Sequence, residues 1–247
     1  RTTYPIARPE SIARAMELLQ QAERPLILAG NGVIRRQAAD SLAAFAQRAN
    51  IPVITTFMGK GVLDYRDPLA LPAMGLRSHG APQGILAEAD LVLAVGYDLV
   101  EWEPSVWNRG STHTIVHIDS TAAELDHSYI PAVEVVGEIG ETLRALVDGF
   151  AGTAPQWDWQ RFRPSTDGAA ESSIDNAFPI RPARFMRELR AVLGDDDIVI
   201  SDVGAHKLWL ATHFPATRPN TVVIPNGLAS MGLSVPGAVA AKLVHPA

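Results

Sequence analysis

The chain has 247 residues with 21 Lys and Arg against 27 Asp and Glu, and its formal charge of −6 argues against a phosphate-backbone partner such as nucleic acid. Apolar residues make up 47% and charged residues 19%, which are globular proportions at a length suited to one large or two smaller domains. The absence of cysteine excludes disulfides, zinc-thiolate and iron-sulfur sites, and a cysteine nucleophile.

The chain opens on Arg1, with no basic segment leading into an apolar one, so the start reads as an internal boundary and predicts a piece of a longer chain. Pro9 suits a first helical turn, and Ile12, Ala15, Met16, Leu19 and Ala22 recur behind it at helical spacing. Leu26 to Ala29 is an apolar run short enough for a buried strand and is ended by Gly30-Asn31-Gly32. Gln37 to Ala49 returns to helical spacing through Leu42, Phe45, Ala46 and Ala49, and Ile51 to Thr55 is β-branched again. The later runs Leu91 to Val95, Thr114 to Ile118 and Val133 to Val136 read as buried strands of a parallel sheet.

Between residues 151 and 180 periodicity stops and small, polar and acidic residues gather around Trp157 and Trp159, which predicts a linker. The plan then restarts: Pro182 opens a helix with Phe185, Met186, Leu189 and Val192, and Ile198 to Ile200 is a strand. The predicted organisation is therefore α/β throughout, with a domain over residues 1–150, a linker over 151–180, and a shortened second domain over 181–247. Leu228 to Val244 is the longest apolar stretch, but Ser230, Ser234, Pro236 and Lys242 interrupt it short of the ~20 residues a bilayer span needs. No membrane span is predicted. Without its full complement of strands, that stretch is expected to expose apolar surface.

Gly30-Asn31-Gly32, between a strand and a helix, offers N–H groups for a phosphate, or is a tight turn with no ligand. Asp119, at a strand end, reads as an acceptor for a ribose hydroxyl or as a cap on the next helix. Glu101 and Glu103 flank Trp102, and nothing in their spacing makes them converge on a substrate. His206 and His213 share a helix face without an intervening carboxylate ligand, which argues against zinc. His79, His113, His117 and His127 lie in separate segments, and no serine sits in a nucleophile elbow. More informative are two strand-to-helix turns about twenty residues apart, Ser201-Asp202-Val203-Gly204-Ala205-His206 and Gly227-Leu228-Ala229-Ser230-Met231-Gly232. If their strands are parallel neighbours, both turns face one ligand of diphosphate size.

The pattern Val203-Gly204-Ala205-His206…Trp209 followed by Asn226-Gly227-Leu228-Ala229-Ser230-Met231-Gly232…Pro236 resembles the cofactor domain of thiamine-diphosphate enzymes, specifically the acetolactate synthase large subunit. The first half is similar to that family's middle domain, from Arg24-Pro25 through Ile51-Pro52-Val53 and Ala89-Asp90-Leu91-Val92 to His117-Ile118-Asp119. The resemblance implies a Rossmann-like middle domain of the DHS-like, NAD/FAD-binding kind, followed by part of the cofactor domain. It implies that Val203, Gly204, Ala205 and His206 lie along the diphosphate, with Ala205 standing where the family often has glutamine. It places Gly227, Leu228, Ala229, Ser230 and Met231 around the rings. There the Ala229 carbonyl accepts from the aminopyrimidine, and Met231 bends the cofactor so that it deprotonates its own thiazolium.

The implied reaction is decarboxylation of pyruvate and ligation of the two-carbon unit to a second pyruvate, giving 2-acetolactate. Another thiamine-diphosphate-dependent decarboxylase or acyl transferase, or a non-catalytic dinucleotide-binding module, stays open. Gly96 to Asn108 is similar to the catabolic, flavin-free branch, so FAD is disfavoured. The family's proton-relaying glutamate belongs to an N-terminal domain outside these residues, and its magnesium ligands fall beyond Ala247. No catalytic or metal-ligating residue is therefore assigned, and the isolated chain is expected to be inactive. The resemblance further implies a cytoplasmic homodimer or homotetramer.

Overall fold

The computed structural model describes residues 4–75, 81–110, 112–152, 157–163 and 178–246. Five parallel strands form the first unit: β1 (Pro25–Ala29), β2 (Val53–Thr55), β3 (Leu91–Val95), β4 (Thr114–Asp119) and β5 (Val133–Val136), in the order β2-β1-β3-β4-β5. Ile27 pairs with Val53 on one side and Leu93 on the other, and Leu93 pairs in turn with Val116. Every residue of β1 and β3 is buried, as expected of interior parallel strands covered on both faces.

The covering helices are α1 (Pro9–Gln21), α2 (Asn31–Arg35), α3 (Ala39–Ala49), α4 (Ala81–Glu88), α5 (Pro104–Trp107) and α6 (Ile139–Gly149). On α3, Leu42, Phe45, Ala46 and Ala49 are fully buried, a stripe at i, i+3, i+4 and i+7 that packs against α6. The helix expected from Gln37 starts at Ala39 instead. Gln37 adopts φ +55°, which breaks the chain between α3 and the short α2 that the sequence pattern did not reveal. Strand order reverses between β1 and β3, so their C-terminal ends form the switch point where α/β sheets open a crevice.

In the second unit, α7 (Pro182–Val192), β6 (Val199–Ile200), α8 (Ala205–His213), β7 (Val222–Val223) and α9 (Ser234–Val244) repeat the alternation. Strands β6 and β7 are parallel neighbours, with Val199 opposite Val222. Their small core, around Met186, Leu210 and Phe214, also takes in Phe57 and Ala73 of the first unit. Within the predicted linker, Trp159 is buried against the first core and Phe162 lies over Gly84, so residues 157–163 are docked. Residues 153–156 and 164–177 of that linker lie outside the described residues. The expected apolar exposure is present: Val235, Val239 and Leu243 of α9 face solvent, as do Leu228 and Met231 before it.

Candidate cofactor site

The two turns singled out in the sequence leave the C-terminal ends of adjacent parallel strands, β6 and β7, and lead towards α8 and α9. The first turn opens α8 without a side-chain cap: Gly204, at φ +153°, is the N-cap residue and offers no oxygen. A helix start of this kind attracts an anion through its free N–H groups and the positive end of the helix dipole. Gly204, Ala205 and His206 are exposed there, and Val203 is half-buried.

The second turn is held in left-handed backbone at Gly227 (φ +71°), Ala229 (φ +43°) and Gly232 (φ +90°). Positive φ at Ala229 is uncommon for a residue with a Cβ and turns its peptide out of the strand direction. Leu228 and Met231 project almost wholly into solvent, at 98% and 83% exposure, while Ala229 is half-buried and Ser230 exposed.

Asp202 joins the turns. Its carboxylate accepts from the N–H of Val203 (2.8 Å), the N–H of Gly232 (2.8 and 3.0 Å), and the N–H (3.1 Å) and hydroxyl (2.9 Å) of Ser234. The Val203 N–H, then those of Ser234 and Gly232, and last the Ser234 hydroxyl hold this carboxyl well below the usual carboxylate range. No sequence signal marks Asp202, because three of its four donors lie about thirty residues downstream.

A second set of bonds fixes the Gly227 turn to the first unit. Asn226 accepts from the buried Lys207 Nζ (2.9 Å) through its side-chain oxygen and donates through Nδ2 to the Glu101 carbonyl (2.7 Å). Burial lowers the pKa of Lys207. Asn226 and Lys207 were likewise not legible as a pair.

The switch-point crevice of the first unit, about 310 Å³, is lined by Asn31, Arg36, Glu101 and Asp119 among others. Its Gly30-Asn31-Gly32 turn has no N–H left for a phosphate. Gly30 donates to the Val95 carbonyl (2.9 Å), Gly32 to the Gly96 carbonyl (2.8 Å), and Asn31 to both Glu101 carboxylate oxygens (3.0 Å). The turn reading without a ligand is therefore the one the geometry supports, with Glu101 seated where an anion would bind. Asp119 is not a helix cap, because no helix follows it before β5; it accepts from the N–H (2.5 Å) and hydroxyl (3.0 Å) of Ser120. Glu101 is buried while Glu103 is exposed and bonded to Ser105, so the two acids do not converge.

His206 and His213 stand at opposite ends of α8. His117 bonds Tyr129 and the Thr121 carbonyl, and His113 bonds the Ala89 carbonyl, all within the first unit. His79 lies outside the described residues. Among the described residues no group of three or more His, Cys, Asp or Glu is placed to hold a metal ion.

Burial pushes the Glu101 carboxyl up to about 7, opposed by bonds from Thr56 Oγ1 (2.5 Å) and the N–H groups of Asn31 and Asp98. The folded value lies above the ordinary 4.5, so this group's contribution to stability is full below that pH and is lost as pH rises through the folded value. The loss is about 3 kcal/mol between about pH 5 and about pH 8. Glu101→Gln is expected to abolish most of that slope in urea unfolding measured at the two pH values. An unchanged slope would assign the pH dependence to other groups.

A doubly wound α/β unit is thus followed by two parallel strands whose turns are tied together through Asp202. The chain belongs to the thiamine pyrophosphate enzymes. Residues 12–146, more than half of its length, match the family "Thiamine pyrophosphate enzyme, central domain", and residues 202–247 match "Thiamine pyrophosphate enzyme, C-terminal TPP binding domain". Similar proteins include "Acetolactate synthase" of Bacillus subtilis, 29% identical over 97% of this chain and 43% of that protein. "Probable acetolactate synthase large subunit" of Methanocaldococcus jannaschii is 30% identical over 98% of this chain and 42% of its own length. "Acetolactate synthase, catabolic" of Raoultella terrigena is 31% identical over 96% and 43%. The chain thus spans less than half the length of these curated relatives.

Proposed function

We propose that the chain is the central and cofactor-gripping portion of an acetolactate synthase. In this reading two pyruvates give 2-acetolactate and carbon dioxide. The observation that carries the reading is the pair of turns joined by Asp202 at the ends of two parallel strands, within the segment matched to the thiamine pyrophosphate-binding domain. The names of the relatives support the choice of reaction.

The residues fit the cofactor's two chemistries. The uncapped start of α8, with Val203, Gly204, Ala205 and His206, suits a diphosphate, and its dipole compensates for the glutamine that Ala205 replaces. Ala229 presents a carbonyl from its left-handed backbone, while Leu228 and Met231 supply apolar surface that excludes water from rings laid against them. Gly227 and Ser230 add no bulk beside them. When bound, thiamine diphosphate supplies the carbon nucleophile that makes decarboxylation of a 2-keto acid possible. Asp202 keeps the diphosphate turn and the ring turn in fixed relation, and Asn226 keeps the ring turn in place against the first unit.

Magnesium belongs to this reading as the partner of the diphosphate, and none of the described residues is assigned to hold it. A cytoplasmic homodimer or homotetramer completes it, and the apolar face of α9 is surface that association can cover. No described helix is long and apolar enough to cross a membrane. Flavin is left out, because Glu101 and neighbouring carbonyls already take the N–H groups of the Gly30 to Gly32 turn.

The alternative of a dinucleotide-binding module rests on the switch-point crevice and predicts visible flavin or nicotinamide absorbance in the purified protein. The test is to incubate the intact protein with pyruvate and magnesium, with and without thiamine diphosphate, and to assay acetolactate. Cofactor-dependent product without added flavin is expected. Carbon dioxide release without acetolactate would move the function to a related decarboxylase.

A further inference from the structure

A cavity of about 720 Å³ lies between the two units, walled by the edge strand β2 and the segment after it, by α7, and by the C-terminal end of α8. That volume accommodates a small organic ligand. The greater part of its surface is apolar, Leu71 and Phe214 included, yet Lys60, Arg66, Arg163 and Arg187 also line it and none of the described lining residues is acidic. Arg66 pairs with Asp64 and Asp195, which are not among the lining residues.

Lys60 is the informative group. It is buried, and its Nζ donates to the Ala211 carbonyl at 2.9 Å. Burial lowers its pKa, to about 8, with no carboxylate of the described residues acting against it. A buried ammonium ordinarily has an anion beside it, since the cost of desolvating the charge is otherwise uncompensated.

We propose that this cavity binds a small organic carboxylate with an apolar body, its carboxylate on Lys60 and its body against Leu71 and Phe214. The site is separate from the cofactor cradle. Helix α8 presents its N-terminus to the cradle and its other end to the cavity, across nine residues or about 12 Å. The proposal does not depend on which 2-keto acid the protein uses.

The test is calorimetric titration of the intact protein, saturated with thiamine diphosphate, with phenylacetate and with its neutral isostere phenylacetamide. Phenylacetate is expected to bind at least about tenfold more tightly than the amide, and Lys60→Met to weaken it by about tenfold. Ala183→Phe fills the cavity from α7 without touching the Lys60 bond to Ala211, so it is expected to abolish binding in a protein whose melting temperature shows it folded. This second variant decides the matter if Lys60→Met does not fold. No binding of phenylacetate up to about 5 mM, equal affinity for the amide, or undiminished binding to Ala183→Phe would each overturn the proposal.

Discussion

Gly96→Ala is expected to cost the first unit about 3–5 kcal/mol, enough to remove much of the stability of a typical domain. Gly96 follows the last residue of β3 at φ +58°, where a side chain is strained whatever the space around it. A Cβ at this position would also lie 2.4 Å from the Val33 nitrogen and 2.7 Å from the Gly32 carbonyl carbon. Both neighbours are backbone, so neither clash is relieved by a rotamer change. The same crossing excludes a Cβ at Gly32, which would meet Gly96 Cα at 2.5 Å. Separation between the end of β3 and α2 would in turn disturb the Gly32 bond to the Gly96 carbonyl. Denaturant unfolding of the intact protein, followed by a probe in the first unit, measures the loss. A cost below about 1 kcal/mol would mean that the crossing opens easily.

Asp202→Ala is expected to weaken thiamine diphosphate binding by roughly a hundredfold, because one carboxylate serves four donors on two turns that must present a single surface. Without it Gly232 and Ser234 lose their tie to the β6 end, and the ring turn is free to move relative to the α8 start. Asp202→Asn, which keeps one acceptor oxygen, is expected to fall between the two. The pH dependence has the opposite sign to that of Glu101. The folded value of Asp202 lies below the ordinary aspartate value, so its contribution is full above about pH 4 and is lost only as pH falls through the folded value. Equilibrium titration of the three proteins measures the effect, and equal affinities would show that the turns hold their geometry without this link.

Local pattern carried most of the fold. The runs around Leu28, Leu93 and Val116 form sheet strands because a buried parallel strand needs little more than a short run of predominantly apolar residues. Helix α2 did not show, since its first N–H is satisfied by Glu101, seventy residues away, and five residues carry no readable periodicity. Glu101 and Glu103 look equivalent in sequence; only the fold makes one a buried acceptor and the other a surface group.

At the candidate site, Gly204, Ala205, Gly227 and Met231 were legible as two glycine-bearing strand-to-helix turns, and the parallel pairing of β6 with β7 brings those turns together. Asp202, Asn226 and Lys207 were not, because their roles depend on partners in other elements. A carboxylate or amide says little in sequence until its donors are in place.

The proposed function requires that a diphosphate be held by the second unit and not by the crevice of the first. Parallel calorimetric titrations of the intact protein with thiamine diphosphate plus magnesium, and with FAD, test it directly. Saturable binding of thiamine diphosphate at one site per chain and no binding of FAD are expected. Saturable FAD binding with no response to thiamine diphosphate would contradict it and make the first unit's crevice the functional site.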